Sequence, residues 1–421
     1  MRPESPEFSF IDLFCGCGGN SWGMRQANGA RPLVPLLALD DDSHAIENYS
    51  YNLPNVKVIQ EDIRVVKPDD ILQCIGLSPG ELGCIVASPP CQTYSRNNRG
   101  FKDENDYRHT LYKPLLESIE VIKPWIVLVE NVPEMEKYSN GKYHSDFIKS
   151  LKKLGYVVRH WIINSANYGV PQHRFRLIYL AYRKEMQKIP KCPPLTHGEE
   201  ASLLPWVTVE DAIKDLPTRN AGDNRDYFRI TEPQLLRRTQ YAKARCFNRL
   251  KTVFNHAARS LNETQMKRLY ALKEGQAYKD LPDELKPKKG YDASYGRLWR
   301  NKPAPTLTTW LSYPSSGRFS HYEQHRVITI REALRLQSFD DQFRVFGSSL
   351  KQSTLVGNAV PPLLANALKN QIVTDLEHYF FVSPQSDTSA SSKSVLLQHN
   401  ARKNGATTSD ESTSFSQQKK S

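Results

Sequence analysis

The residue in this sequence best suited to chemistry is a cysteine that follows two prolines, in Ala87-Ser88-Pro89-Pro90-Cys91-Gln92. Two prolines lock the backbone immediately before the thiol, a loss of flexibility that plain packing does not require. A free thiol ionises near pH ~8.5, so a nucleophilic Cys91 needs either a depressed pKa or removal of its proton during attack. A second reactive group stands in Glu130-Asn131-Val132, directly after the fully apolar run 125–129. A carboxylate delivered to a site by a buried strand is a candidate to stay neutral and donate a proton. Further on, Gln172-His173-Arg174-Phe175-Arg176 sets two arginines at period two, the spacing of one face of a strand. One of them could pair with Glu130 while the other reaches a carbonyl or a phosphate, or either could serve as a simple salt-bridge partner.

Three more loops carry ligand-binding residue types. Asp12-Leu13-Phe14-Cys15-Gly16-Cys17-Gly18-Gly19 follows an apolar run and precedes a helical one. Its glycines let the backbone pass close to a ligand, and a helix N-terminus offers free N–H groups. Cys15 and Cys17 are read as packing residues and no metal is expected, because no second Cys or His pair lies at ligand spacing. Asp40-Asp41-Asp42 ends the next strand, where a carboxylate can accept from both hydroxyls of a ribose. One of the three is expected to cap the helix that follows. Asp62-Ile63 closes a third strand, and its acid could accept from an adenine amino group or act as a turn residue. The polar segment 93–106, with Arg96, Asn97, Asn98, Arg99, Gly100 and Lys102, suits closure over a bound polyanion; a solvated loop is the alternative.

These loops require a scaffold that brings strand ends together. The runs 8–14, 33–39, 56–59, 84–87, 125–129, 157–163 and 175–181 read as buried strands, and 21–28, 43–51, 111–122 and 145–154 carry helical spacing. Such alternation predicts an α/β fold with a mostly parallel sheet covered on both faces, and ligands bound beyond the carboxyl ends of its strands. From 184 to 324 the alternation stops, which predicts a smaller irregular domain or a long insertion. Helical periodicity returns at 331–337 and at 361–379, the latter after the turn signal Gly357-Asn358. The Ser-, Thr- and Gln-rich stretch 383–421 is expected to be a disordered tail.

Lys and Arg number 57 against 45 Asp and Glu, a net charge of +12 that suits a polyanionic partner. Seven cysteines, without the basic-then-apolar pattern of a secretory signal, predict reduced thiols inside a cell. No apolar run reaches the roughly 18 residues of a membrane span, so a soluble, intracellular protein with no membrane partner is expected.

In content and order these pieces resemble the DNA cytosine-5 methyltransferase family, with matching motifs from Phe8 to about Tyr379. The resemblance implies a Rossmann-like fold for S-adenosylmethionine-dependent methyl transfer. Phe14, Gly16, Gly18, Asp40, Asp41, Asp62, Ile63, Pro90 and Asn358 are then expected at the cofactor, and Cys91, Glu130, Arg174 and Arg176 at the catalytic centre. Arg331-Glu332-Ala333-Leu334-Arg335-Leu336-Gln337-Ser338-Phe339 resembles the family's ninth motif and Gly357-Asn358-Ala359-Val360-Pro361 its tenth. The implied partition is a catalytic region over 1–183, a target-recognition domain over 184–324 containing a Thr306-Leu307 signature, and a return to the catalytic domain over 325–382.

The implied reaction is methylation of carbon 5 of cytosine in a specific sequence of double-stranded DNA by an enzyme expected to be monomeric and DNA-associated. Cys91 adds to carbon 6 of a base flipped from the duplex, Glu130 bonds the ring N3 and the exocyclic amine, and Arg176 supports the carbonyl oxygen and orients Glu130. Three rivals stand beside it. An RNA cytosine methyltransferase of the tRNA-modifying branch would carry a Cys-Phe-Thr signature, where this chain has Cys246-Phe247-Asn248. A catalytically silent DNA-binding regulator would have no reason to keep Cys91, Glu130, Arg174 and Arg176. A methyltransferase acting on the amino group of a base would need an Asp/Asn-Pro-Pro-aromatic motif, which is not seen. The lack of a large region before the first motif suggests a stand-alone enzyme of the bacterial, restriction-modification type.

Overall fold

Apolar runs bounded by turn residues form seven strands: β1 (Ser9–Leu13), β2 (Val34–Asp40), β3 (Lys57–Gln60), β4 (Cys84–Ala87), β5 (Ile126–Asn131), β6 (Tyr156–Asn164) and β7 (Phe175–Arg183). The computed structural model describes residues 4–90, 106–245, 252–288 and 290–382. The strands make one sheet in the order β3-β2-β1-β4-β5-β7-β6. Every pairing is parallel except those of β7, which runs antiparallel to both β5 and β6. β4 and β5 are buried along their whole length, which is why they read as continuous apolar runs instead of alternating ones. The α/β class and mostly parallel sheet expected from the sequence are both present.

Between the strands lie α1 (Gly19–Met24), α2 (Ser43–Asn52), α3 (Pro68–Ile75), α4 (Tyr112–Ile122) and α5 (Lys142–Lys153). α2 and α3 show the local chemistry that starts or stops them. The Asp42 side chain caps α2 by accepting from the His44 backbone N–H, so Asp42 is the capping member of the Asp40-Asp41-Asp42 run. α3 opens with Pro68 and two acidic residues and closes on Gly76 in the left-handed conformation, a helix the periodicity alone does not announce.

Later in the chain come α6 (Val209–Ile213), α7 (Glu232–Arg237), α8 (Gln240–Arg245), α9 (Glu263–Ala271), α10 (Ile330–Leu336), α11 (Ser349–Asn358) and α12 (Pro362–Glu377), with a short ribbon of β8 (Phe228–Arg229) and β9 (Thr252–Val253). Gly357 and Asn358, a turn signal in the sequence, are instead the last residues of α11.

One core lies on the face covered by α3, α4 and α5, with Leu13, Leu39, Ile71, Leu115, Phe147 and Tyr179 among its members. Another joins α1 and α2 to α6, α10, α11 and the stretch from Leu298 to Tyr322 through Trp22, Tyr49, Leu216, Leu307, Phe319 and Leu334. Much of the irregular 184–324 segment therefore shares a core with the helices of the sheet. Described residues of this compact unit run to Leu376, and the short π-helical turn His378–Val382 belongs to a separate unit. Among the described residues no helix is long and apolar enough to cross a membrane.

α10 is fixed by charge. Thr329 and Glu332 form a capping box at its start, and the fully buried Arg326 donates from both terminal nitrogens to the two Glu332 carboxylate oxygens at 2.7 Å. Burial alone would raise the Glu332 pKa, but the Arg326 guanidinium and its hydrogen bonds hold that carboxyl far below the usual carboxylate range. A buried pair is costly to break, because removing one partner leaves the other charged and dry. Arg326→Met is expected to lower the unfolding free energy by about 3–5 kcal/mol in a urea titration; a loss under about 1 kcal/mol would show that the pair does not hold the helix.

Candidate active site

The order of the strands decides where a ligand can bind. β1 has β2 on one side and β4 on the other, so the connections leaving β1 and β4 diverge and open a crevice beyond their carboxyl ends. The Asp12-to-Gly19 loop leaves β1 there, and Ser88-Pro89-Pro90 leaves β4 there. Asp40 ends β2 and Glu130 lies one residue from the end of β5 on the same edge. Because β7 is antiparallel, its first residues, not its last, lie on that edge as well: Asn131 is in register with Leu177 and Glu130 with Ile178.

This register explains the arginines. The Arg176 Nε meets the Glu130 carboxylate at 2.6 Å, with both side chains about one-tenth exposed. Arg176 is thus the partner of Glu130 across the two strands, and a second Arg176 nitrogen donates to the Phe175 carbonyl at 2.7 Å. Arg174 precedes β7 and goes elsewhere. It is 1% exposed and donates to the backbone carbonyls of Leu307 at 3.2 Å and Gly357 at 2.8 Å.

Gln172 works beside it. Its amide donates to the Gln337 side chain at 3.0 Å and accepts from the Leu307 N–H at 2.9 Å, while Gln337 donates to the Val356 carbonyl at 2.6 Å. The Thr306 hydroxyl donates to the His173 carbonyl at 2.8 Å. The arginine motif, the Thr306-Leu307 pair, α10 and the end of α11 are thus tied into one hydrogen-bonded knot beneath the site. The sequence shows all four segments but not these bonds.

Cys91 lies outside the described residues, as do 92–105 and Cys246-Phe247-Asn248. The chain leading to Cys91 is described. The Asn131 amide donates to the Pro89 carbonyl at 3.3 Å, and the Asn131 side-chain oxygen accepts from the Val132 N–H at 2.8 Å. The Ser88 N–H reaches the Leu13 carbonyl at 3.1 Å, and Asn20 donates to the Ser88 hydroxyl at 3.1 Å. The strand exit carrying Pro89 and the half-buried Pro90 is therefore braced by the residue next to Glu130 and by the loop after β1.

On the β1 side the backbone is bent into unusual conformations. Phe14 has a φ of 57°, rare for a residue with a side chain, and Gly16 follows with a φ of 53°. A Cβ placed on Gly16 would meet nothing within 4 Å, so that glycine faces open space. The Gly16 N–H donates to Asp40 at 2.8 Å, and the Asp42 N–H donates to the other Asp40 oxygen at 3.0 Å. Burial pushes the Asp40 carboxyl up to about 6, against the pull of these two bonds.

Asp12, fully buried, accepts from the Ser21 hydroxyl at 2.6 Å, while its second oxygen has no protein donor. Burial raises the Asp12 pKa to about 7. Asp12 was legible only as the first letter of a glycine-rich motif. Burial also pushes the Cys15 thiol up and the Cys17 thiol to about 12, and both side chains pack in the core. Asp41 adds like charge beside Asp40. Asp62 is bound to Arg64, its carboxylate accepting from the Arg64 side chain at 2.9 Å and from the Arg64 backbone N–H at 2.9 Å, with Ile63 buried next to it. Asn358 is exposed at the end of α11.

The two halves of the crevice also touch through glycine. A Cβ on Gly19 would lie 2.2 Å from the Val360 carbonyl oxygen, so the first turn of α1 sits against the chain entering α12. Gly19→Ala must push that backbone away, and it is expected to cost about 1–3 kcal/mol of stability, read as a lower urea midpoint. An unchanged midpoint would mean that this contact is not close.

Comparison with known proteins gives a consistent result. A family model described as C-5 cytosine-specific DNA methylase matches residues 8–374. A type II methyltransferase of Haemophilus parahaemolyticus is 30% identical over 368 residues, covering 87% of this chain and 86% of its own. One from Desulfomicrobium norvegicum is 32% identical over 391 residues, covering 86% and 88%. Among solved structures, one described as a DNA modification methyltransferase encoded within a prophage of E. coli aligns with a TM-score of 0.70 at 22% identity, covering 88% of this chain and 99% of that one, a likeness of fold.

Proposed function

Because the chain belongs to the C-5 cytosine-specific DNA methylase family, and so is a DNA cytosine-5-methyltransferase, we propose that it modifies a specific duplex sequence with Cys91 as a covalent nucleophile and S-adenosylmethionine as methyl donor. The observation that carries this reading is the 2.6 Å Arg176–Glu130 pair beside a strand exit that ends in Pro89-Pro90 and is braced by Asn131.

The chemistry needs such a pair. Carbon 5 of cytosine is a weak nucleophile, and adding a thiolate at carbon 6 turns the ring into an enamine. Cys91 makes that addition. Glu130 bonds the ring N3 and the exocyclic amine, and Arg176 fixes the rotamer of Glu130 while supporting the carbonyl oxygen, so the charge that develops on the ring meets partners already in place. Loss of the carbon-5 proton then lets the Cys91 sulfur leave. Arg174, Gln172 and Gln337 act by holding the backbone on which Arg176 stands.

The residues leaving β1 and β2 on the crevice edge fit the cofactor. Gly16 faces open space, Asp12 keeps an unpartnered buried oxygen, and Asp40 is an acid with both oxygens already oriented by backbone N–H groups. Phe14, Gly16, Gly18, Asp40, Asp41, Asp62, Ile63, Pro90 and Asn358 would hold it, with Asp62 sharing its present pair with Arg64. When bound, it supplies the methyl group.

The base must leave the duplex, at a cost of a few kcal/mol. The segment 184–324 would read the sequence, with exposed aromatic side chains at Tyr227, Tyr270 and Trp310 and a basic chain for phosphate contact.

Tritiated methyl transfer to duplex DNA, run beside tRNA, tests the proposal. Cys91→Ser is expected to lower the rate about 10³-fold or more while DNA binding in a gel shift persists, and Glu130→Gln to lower it about 10²-fold. Transfer to tRNA alone, or a Cys91→Ser protein with an undiminished rate, would overturn it.

A further inference from the structure

A second cluster of donor atoms lies on the α5 face of the sheet, near its β6 edge. His160 is in register with Tyr179 across β6 and β7, and Tyr179 with Val129 across β7 and β5, so the three share a face. α5 covers that face and lowers His144 onto it, with the His144 and His160 rings 4.6 Å apart and nearly perpendicular. The turn Pro133–Glu136, which leaves β5 just beyond Glu130, brings in Glu136. One ligand atom from each of Glu136, His144 and His160 lies within 4.8 Å of the other two.

We propose that Glu136, His144 and His160 form a binding site for a divalent cation of the zinc type. Two imidazoles and one carboxylate are a ligand set that zinc accepts, with the fourth position left to water. Ligands about 2.0–2.1 Å from a tetrahedral ion stand roughly 3.3 Å from each other. His160 Nε2 and Glu136 Oε1 are 3.5 Å apart, long for a hydrogen bond yet close to that spacing. Closing the remaining gap needs side-chain adjustment of up to about 1.5 Å, within reach of partly exposed groups.

The His144 ring is also oriented as a ligand would be. Its Nδ1 is 2.8 Å from the hydroxyl of Tyr179, a buried residue, which leaves Nε2 for the ion. A bond from the second ring nitrogen is the usual device that fixes the tautomer of a metal-bound histidine. Occupancy would clamp the segment leaving Glu130 to α5 and β6. The sequence conceals the site because the three residues come from three elements and form no local spacing pattern.

The test uses the full chain, free of affinity tags and stripped with a chelator. Zinc is titrated by calorimetry, and cobalt(II) is added separately to read the visible absorption of a tetrahedral site. The wild-type protein is expected to bind one zinc at this site, to rise in melting temperature with zinc, and to give the cobalt bands. His144→Gln with His160→Gln is expected to weaken that binding at least tenfold and to abolish the bands and the rise in melting temperature. Glu136→Gln, at a partly exposed position, gives a second variant with the same expectation should the double variant fold poorly. Tyr179→Phe is expected to weaken binding about tenfold through loss of orientation. Equal zinc binding by wild type and folded variants, or no zinc binding by the wild type, would overturn the assignment.

Discussion

The arrangement of this molecule turns on the direction of one strand. β7 enters the sheet antiparallel to β5, so residues at its start meet residues at the end of β5, and Arg176 arrives at Glu130. Run parallel, the same strand would carry Arg176 toward the opposite edge, about 20 Å away at ~3.3 Å per residue. A buried carboxylate would then lack a counter-ion at the mouth of the crevice. The ion pair is therefore both a consequence of topology and the feature that makes the strand ends of β4 and β5 a chemical site.

What holds that edge in place comes from far along the chain. Arg174 reaches carbonyls 133 and 183 residues away, and Gln172 reaches Gln337 across 165 residues. Each of these bonds satisfies a buried backbone or amide group that would otherwise cost about 1–3 kcal/mol. The irregular middle of the chain is joined to the sheet in the same way, through Leu307 and through a shared core. α10 and the residues just before it support the joint with arginines that have almost no exposed surface, Arg326 ahead of the helix and Arg331 and Arg335 within it, each bonded to carboxylates or carbonyls. These residues hold the protein together beneath the site; they do not face the crevice.

Much of this was legible in the sequence, because strands buried on both faces leave continuous apolar runs and the loops after them carry glycine, proline and acid. The seven strands fall within a residue or two of the expected runs, and Asp40, Glu130 and Arg176 stand at the strand edge where the pattern puts them. Other parts were not legible. Gly357 resembles a turn residue, yet it lies in the last turn of α11 and is glycine for a tertiary reason, since a Cβ there would lie 2.5 Å from the Thr308–Thr309 backbone. The two arginines of period two were expected on one strand face, but Arg174 lies before β7 begins. The unpartnered oxygen of Asp12, the brace from Asn131 to Pro89 and the grouping of Glu136, His144 and His160 are products of tertiary packing, with no local signature.

The central claim is that this edge presents a thiol to an extruded cytosine. It is tested most directly by incubating the protein and S-adenosylmethionine with duplex DNA carrying 5-fluorocytosine at the target position, followed by proteolysis and mass spectrometry of the trapped complex. Fluorine in place of the carbon-5 proton blocks release of the sulfur, so the account predicts a stable adduct, methylated at carbon 5, on the peptide that contains Cys91. An adduct on a different residue, or none under conditions where ordinary duplex DNA is methylated, would contradict it.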